Sequence, residues 1–157
     1  RWILGAALVL AIISFWDDRA SLSPGLRLGM QTLAAAGVAW GAGLMMNTIL
    51  LPLVGTVSLG WFAAPVTILF LIWMANLYNF MDGMDGFAGG MTVVGYGFLA
   101  YLAWQGGHQP ILLLYLLVAS AAAGFLWYNL PPARIFMGDV GSVPLGFLAA
   151  ARRGIVR

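Results

Sequence analysis

Two long stretches of the chain contain no residue with a formal charge, and this feature limits the possible folds more than any other. The stretches run from 28 to 81 and from 86 to 133. Across the whole sequence 62% of the residues are hydrophobic and only 8% are charged, whereas a soluble domain carries roughly 25% charged residues. Because a water-soluble surface cannot be built from so few charges, the lipid bilayer must be the solvent for most of the chain.

The length of the uncharged stretches predicts the number of membrane spans. A spanning helix needs about 20 apolar residues, so each stretch holds two spans and a connecting turn. Turn-forming residues occur between 47 and 60 and between 105 and 110. The sequence therefore predicts an all-α, polytopic integral membrane protein with about five to six transmembrane segments in one domain, 1–157. The predicted spans are 2–16, 28–46, 61–79, 87–104 and 111–130, with a partial span from 143 onward.

The charged residues predict the topology. All five acidic residues are aspartate, and the opposite loops contain neither lysine nor arginine. Two crossings return the chain to the side that it left, so the aspartates are predicted to lie at one membrane face. Arg19, Arg27 and Arg134 belong to the same face, and the positive-inside rule makes that face cytoplasmic. The aspartates form three clusters: Asp17 with Asp18, Asp82 with Asp85, and Asp139 alone.

The segment from 76 to 86 has a polar side chain at every third residue, namely Asn76, Asn79, Asp82 and Asp85. We expect the span to end near Asn79, because Gly83 and Gly86 disfavour a continuous helix. The chain would then fold back and bring two amides and two carboxylates into one pocket. Such oxygens are hard ligands that suit Mg²⁺, which often binds substrate phosphates. Asx caps in a glycine turn explain one of the four residues, but not all of them.

A second polar segment runs from 129 to 142. Gly138 and Gly141 flank Asp139 and permit close approach of the backbone to a ligand. Ser142 is expected to cap the next helix and to leave its amide groups free for an anion. The segment lacks the lysine of a P-loop, which excludes that type of nucleotide site.

Two further residues of this segment have alternative interpretations. Arg134 could contact a phosphate or serve as a positive-inside anchor. Phe136 is an apolar ring in a polar loop, three residues before Asp139, and could stack on a nucleotide base.

Composition excludes several other functions. The absence of cysteine excludes disulfides and thiolate metal sites, and a net charge of +2 gives no indication of nucleic-acid binding. A transporter with aspartates along an ion or proton path is an alternative, but that function requires acids at mid-membrane depth.

These motifs resemble those of the polyprenyl-phosphate N-acetylhexosamine-1-phosphate transferases, glycosyltransferase family 4, which include the phospho-MurNAc-pentapeptide translocase and the initiators of O-antigen synthesis. The resemblance rests on the aspartate pair that ends the first span, on Asn-x-x-Asn-x-x-Asp-Gly-x-Asp-Gly at 76–86, and on Asn129 followed by residues 136–142. Residues 79–83 are more similar to the O-antigen branch.

The resemblance implies an enzyme of the bacterial inner membrane with about ten to eleven helices, of which this chain would be a fragment, truncated at both ends. The implied reaction transfers an N-acetylaminosugar 1-phosphate from a UDP-sugar to undecaprenyl phosphate at the cytoplasmic face and releases UMP, which initiates O-antigen or other cell-envelope glycan synthesis. The implied cofactor is Mg²⁺, or Mn²⁺ in its place. A homodimer is left open, and an inactive fragment of the enzyme is an alternative.

Matching positions also imply roles for individual residues. The metal ligands would be Asp139 and Asn79. The catalytic acids would be Asp17, Asp18, Asp82 and Asp85, with the first pair near the lipid phosphate. The substrate-binding residues would be Asn76, Asn129, Arg134 and Phe136, the last of them stacked on uracil.

Overall fold

A computed structural model of the chain describes residues 2–53 and 55–151. The described residues are mostly helical, which confirms the predicted fold class. The helices are α1 (Trp2–Ala20), α2 (Pro24–Gly41), α3 (Ala63–Asp82), α4 (Phe87–Gln105), α5 (Gln109–Asn129) and α6 (Gly138–Ala150). A 3₁₀ turn, Gly60–Phe62, precedes α3.

Three helical segments of the described chain are long and apolar enough to cross a membrane: Gly60–Asp82, Phe87–Gln105 and Gln109–Asn129. They coincide with the predicted spans 61–79, 87–104 and 111–130. Helices α1 and α2 carry charged residues near one end, and their crossing of the membrane stays a prediction.

A short antiparallel hairpin connects α2 to α3. Strand β1 (Thr48–Leu51) pairs with β2 (Gly55–Ser58), with Thr48 opposite Ser58. The sequence predicts only a turn in this region. Helix α2 ends at Gly41 and not at residue 46, the predicted end of this span, because the residues from 42 onward lead into the hairpin.

The structure corrects two local expectations. Helix α3 continues through Asp82 and does not end near Asn79, because Gly83 is the residue that follows the helix. The helix therefore ends directly before the glycine, which agrees with the low helix propensity of that residue. Ser142 does not cap α6 but lies inside it, where its hydroxyl donates to the Gly138 carbonyl at 2.8 Å.

Helix α6 packs between α1 and α3, while α4 packs against α5. Leu10, Leu71 and Phe147 form part of the buried core between α1, α3 and α6. Gly146 permits the close crossing of α6 and α3, since a Cβ there would clash with the Met74 carbonyl. This crossing determines which side chains of α3 the first turn of α6 contacts.

Candidate functional site

The site is organised around Asp139, in the first turn of α6. Its Oδ2 accepts a hydrogen bond from Nη1 of Arg27 at 3.0 Å, and its Oδ1 accepts one from Nδ2 of Asn79. The same Asn79 nitrogen lies 3.2 Å from the hydroxyl of Ser142. Side chains from α2, α3 and α6 therefore meet at one carboxylate.

Arg27 connects Asp139 to the end of α1. Its Nη1 also donates to Oδ2 of Asp17 at 3.1 Å, and the other oxygen of Asp17 accepts from the Leu22 amide at 2.8 Å. The exposed fractions of the side chains are 8% for Asp17, 19% for Asp139 and 40% for Arg27. One cation thus neutralises two carboxylates, and part of its surface faces solvent.

Two other aspartates bind the amino end of α6. The Gly138 amide donates to Oδ2 of Asp82 at 2.8 Å, and the Asp139 and Val140 amides donate to the Asp18 carboxylate, each at 3.2 Å. The first amides of a helix have no partner within the helix, and this end carries partial positive charge. The two carboxylates therefore stabilise the start of α6. The expectation that these amides remain free for an anion is wrong.

Gly138 makes this arrangement possible in two ways. Its φ of +68° is a backbone conformation that other residues rarely adopt. A Cβ at this position would also lie 2.9 Å from Oδ2 of Asp18. The positive φ and the nearby Asp18 carboxylate of the same chain therefore both favour glycine next to Asp139.

The second oxygen of Asp82 is the unusual atom of the site. Asp82 is only 5% exposed, and within the described residues its Oδ1 is buried without a hydrogen-bond partner. A buried polar atom left unpaired costs roughly 1–3 kcal/mol, and more when it is charged. An unpaired carboxylate oxygen therefore indicates a place for a cation or a donor.

Asp85 and Asn129 organise the loop between α5 and α6. Oδ2 of Asp85 accepts from the Ala133 amide at 3.0 Å. The buried Asn129 accepts from the Gly86 amide at 3.0 Å and donates to the Ile135 carbonyl at 2.8 Å. These bonds fix the loop from 130 to 137 against the start of α4.

This loop presents Arg134 and Phe136 on its surface. Both residues are exposed, and the ring of Phe136 is 51% exposed. The backbone of Arg134 is held by a hydrogen bond from its amide to the Tyr128 carbonyl at 2.9 Å. Both side chains are therefore accessible to a ligand, and their contacts with a nucleotide stay predictions.

Asn76 does not belong to the group around Asp139. It lies one helical turn before Asn79, where its Nδ2 donates to Oε1 of Gln31 at 2.6 Å and to the Ile72 carbonyl at 2.8 Å. Gln31 is buried. The structure thus places Asn76 in a hydrogen bond between α2 and α3, and its role in substrate binding stays a prediction.

The contacts of Arg27 and Gln31 with other helices are not among those that the sequence predicts. Arg27 and Gln31 are four residues apart, so they lie on the same face of α2, and both contact polar side chains of other helices. Two long polar side chains at that spacing, at the start of an apolar helix, were the available signal.

The donor set fits a magnesium ion. Asp139 and Asp82 offer carboxylate oxygens and Asn79 an amide oxygen, and Mg²⁺ is usually bound by one or two carboxylates together with water and substrate phosphates. Among the residues that the structure describes, no three acidic or histidine side chains form a complete metal cage. The remaining ligands would therefore have to come from substrate and solvent.

Asparagine, aspartate and arginine side chains from separate helices thus converge at one end of a polytopic helical membrane protein. The sequence model of glycosyl transferase family 4 matches residues 1–153, and the chain belongs to this family.

Two relatives from bacteria illustrate the similarity. A probable undecaprenyl-phosphate N-acetylglucosaminyl 1-phosphate transferase of Bacillus subtilis is 39% identical over 142 residues, which is 90% of this chain and 39% of the relative. A phospho-N-acetylmuramoyl-pentapeptide-transferase of Lacticaseibacillus paracasei is 33% identical over 160 residues, which is 95% of this chain and 50% of the relative.

The chain therefore spans half or less of the length of these relatives. The described part contains the motifs at 17–18, 76–86 and 129–142, whose polar side chains, apart from Asn76, lie at the connections around the start of α6.

Proposed function

We propose that the protein transfers an N-acetylaminosugar 1-phosphate from a UDP-sugar to a polyprenyl phosphate and releases UMP. The observation that carries this proposal is the contact of Asp139 with both Asn79 and Arg27. These side chains come from three helices of a chain that belongs to glycosyl transferase family 4. The names of its relatives support a polyprenyl-phosphate acceptor and a hexosamine 1-phosphate.

The reaction brings two anionic substrates together. An oxygen of the lipid phosphate forms a bond to the phosphorus that carries the sugar, and the bond from that phosphorus to the UMP oxygen breaks. A bound Mg²⁺ would offset the repulsion between the phosphates and the charge that develops on the leaving group. Asp139 and Asn79 are the proposed ligands.

Asp17, Asp18, Asp82 and Asp85 remain the proposed catalytic acids, and the structure shows contacts through which several residues of the site would also support it. Asp17 and Asp18 hold Arg27 and the start of α6 beside the place where the lipid phosphate would enter. Asp85 and Asn129 fix the loop whose Arg134 and Phe136 would contact the nucleotide. Asn76 would contribute to substrate binding indirectly, because its hydrogen bond to Gln31 holds α3 beside α2.

We further propose that the site faces the cytoplasm of a bacterial cell, at the inner membrane. Support comes from Arg19, Arg27 and Arg134, which lie at the end of the helical bundle that carries the aspartates. A product made there would initiate O-antigen or another cell-envelope glycan.

The family does not favour the transporter alternative, and neither does the structure. All five aspartates lie at helix ends or in the adjoining turns and loops, whereas an ion path requires acids along the span.

The test is a transfer assay with the full-length protein that carries this chain. Radiolabelled UDP-N-acetylglucosamine and undecaprenyl phosphate should give label in the lipid extract, UMP in the aqueous phase, and no product after EDTA treatment. Asp139→Asn should lower transfer by at least a hundredfold, since a lost metal ligand removes several kcal/mol of transition-state stabilisation, by order of magnitude.

The assay also has a clear negative result. Turnover that persists after EDTA treatment would contradict the proposed metal dependence. Normal turnover of Asp139→Asn in correctly inserted protein would place the metal site elsewhere. Running the assay in parallel with residues 1–157 alone tests the inactive-fragment alternative.

A further inference from the structure

We infer that Arg27 occupies the cation position between Asp17 and Asp139 when no divalent metal is bound, and that it competes with the metal for Asp139. The inference rests on the proposed function only in taking Asp139 as a metal ligand. It assigns a positioning role to an arginine that lies outside the motifs at 76–86 and 129–142.

The geometry of the contact is that of a shared cation. Both carboxylates contact the same nitrogen, Nη1, at 3.1 Å for Asp17 and 3.0 Å for Asp139. The two carboxylate oxygens therefore lie within about 6 Å of each other. Such close carboxylates repel each other unless a cation neutralises them.

The burial of the three side chains makes the need for a cation stronger. Asp17 is nearly buried and Asp139 is mostly buried, so water screens their repulsion only in part. Arg27 is the most exposed of the three, and in the described part of the chain its other guanidinium nitrogens make no hydrogen bond or ion pair. It can therefore turn away from Asp139 while it keeps Asp17 as its partner.

The remaining contacts of Asp139 favour an exchange of cations. Asn79 holds Oδ1, and only Oδ2 binds Arg27. A divalent ion that takes Oδ2 brings twice the charge of the guanidinium to the same carboxylate. Before metal binds, the arginine would hold Asp17 and Asp139 together. It would leave Oδ2 of Asp139 accessible to the metal once the guanidinium moves away.

The test measures metal affinity, not turnover. Mn²⁺ binding to the full-length protein in detergent is followed by the electron paramagnetic resonance signal of free Mn²⁺. Arg27→Gln should bind Mn²⁺ about tenfold more tightly than the unchanged protein, equivalent to ~1.4 kcal/mol. The gain is modest because the displaced ion pair is partly exposed.

Three variants serve as controls. Arg27→Lys keeps the charge and should restore an affinity close to that of the unchanged protein. Arg19→Gln removes one positive charge near the end of α1, where Arg19 lies over the ring of Phe15, and should leave the affinity unchanged. Asp139→Asn should abolish the binding.

The sign of the change distinguishes competition from a purely structural role. If Arg27 only supported the fold, Arg27→Gln would weaken binding or leave it unchanged, and either result in folded protein overturns the inference while the proposed transfer stands. Absence of any Asp139-dependent Mn²⁺ binding overturns both the metal assignment and the inference.

A measurement on the unchanged sequence covers the case in which Arg27→Gln does not fold. In protein labelled with ¹⁵N-arginine, saturating Mg²⁺ should shift the side-chain signal of Arg27, identified as the signal absent from Arg27→Lys. The Asp139→Asn variant should show no shift on Mg²⁺ addition. A signal that Mg²⁺ leaves in place in the unchanged protein contradicts the exchange.

Discussion

At the scale of single residues, the five aspartates differ in what their oxygens contact. Asp18 and Asp85 accept hydrogen bonds from backbone amides. Asp17 and Asp139 share Arg27, whereas Asp82 binds the Gly138 amide with one oxygen and leaves the other unpaired. Helix capping, the simple explanation for loop aspartates, therefore accounts for part of the cluster. Asp82 and Asp139 have the features that capping does not explain.

The exposed ring of Phe136 leads to a prediction about nucleotide binding. Stacking on an aromatic ring is worth roughly 1–3 kcal/mol per base. Phe136→Ala in the full-length protein should therefore raise the KM for the UDP-sugar about 5- to 150-fold. The KM for polyprenyl phosphate should change little, because the lipid would enter near Asp17 and Asp18. Steady-state kinetics with each substrate varied in turn measure both constants.

Phe80→Ala is the matched control for this prediction. Phe80 is also an exposed phenylalanine near the aspartate end of the bundle, but it lies on α3 and not in the loop. Its replacement should leave both KM values unchanged. Equal effects of the two variants, or an unchanged KM for the UDP-sugar in Phe136→Ala, would show that no base stacks on Phe136.

The grouping of the aspartates could be predicted from sequence, but their individual contacts could not. The even number of crossings between charge clusters was sufficient to place Asp17, Asp82 and Asp139 at one end. Arg27 was identified only as a topology signal, because its contact with Asp139 depends on how α6 packs beside α1 and α3. The spacing of Arg27 and Gln31 indicates a polar face of α2, but it does not identify Asp139 as the partner of Arg27.

At the scale of helices and strands, the errors in prediction have local causes. Gly83 and Gly86 interrupt the helix as predicted, since both lie between α3 and α4, but α3 continues to Asp82, three residues beyond the predicted end. Helix α6 begins at Gly138 because carboxylates from distant segments bind its first amides, a contact that no nearby residue reveals. Strands β1 and β2 have only four residues each and lack the alternation of apolar and polar side chains by which a strand is recognised in sequence.

The crossing of α3 and α6 leads to a prediction about stability. A Cβ on Gly146 would lie less than 3 Å from the Tyr78 Cβ and the Ala75 Cα. Gly146→Ala should therefore push α6 outward, destabilise the protein by about 1–3 kcal/mol, and lower transfer activity by separating Asp139 from Asn79. The measurements are thermal unfolding of the purified protein in detergent and the transfer assay.

Gly97→Ala is the control within α4, where an added Cβ meets no atom within 4 Å. Because alanine favours a helix by about 1 kcal/mol over glycine, this variant should unfold at the same temperature or a higher one. If Gly146→Ala behaves like Gly97→Ala, the two helices do not cross as closely as the structure shows.

At the scale of the whole molecule, the connections alternate between two ends. The links from α1 to α2, from α3 to α4 and from α5 to α6 all adjoin the aspartate cluster, while the hairpin and the turn from 106 to 108 lie at the other end. The cluster is therefore assembled from three separate helix connections. If α3, α4 and α5 cross the bilayer, the cluster lies at one membrane face.

The topology prediction follows from this alternation and from the positions of the arginines. In full-length protein from which any other cysteines have been removed, single cysteines at Ser21 and Met84 should react with a membrane-impermeant thiol reagent only from the cytoplasmic side. A cysteine at His108 should react only from the opposite side, because α4 separates it from Met84 by one crossing. His108 is preferred to Gly107, whose φ of +71° disfavours any other residue.

Labelling intact cells and inverted membrane vesicles in parallel gives each position its own control, since a correctly inserted cysteine reacts in one preparation and not in the other. Reaction of Met84→Cys in intact cells would place the aspartate cluster outside and would remove the access of a cytoplasmic UDP-sugar on which the proposed reaction depends.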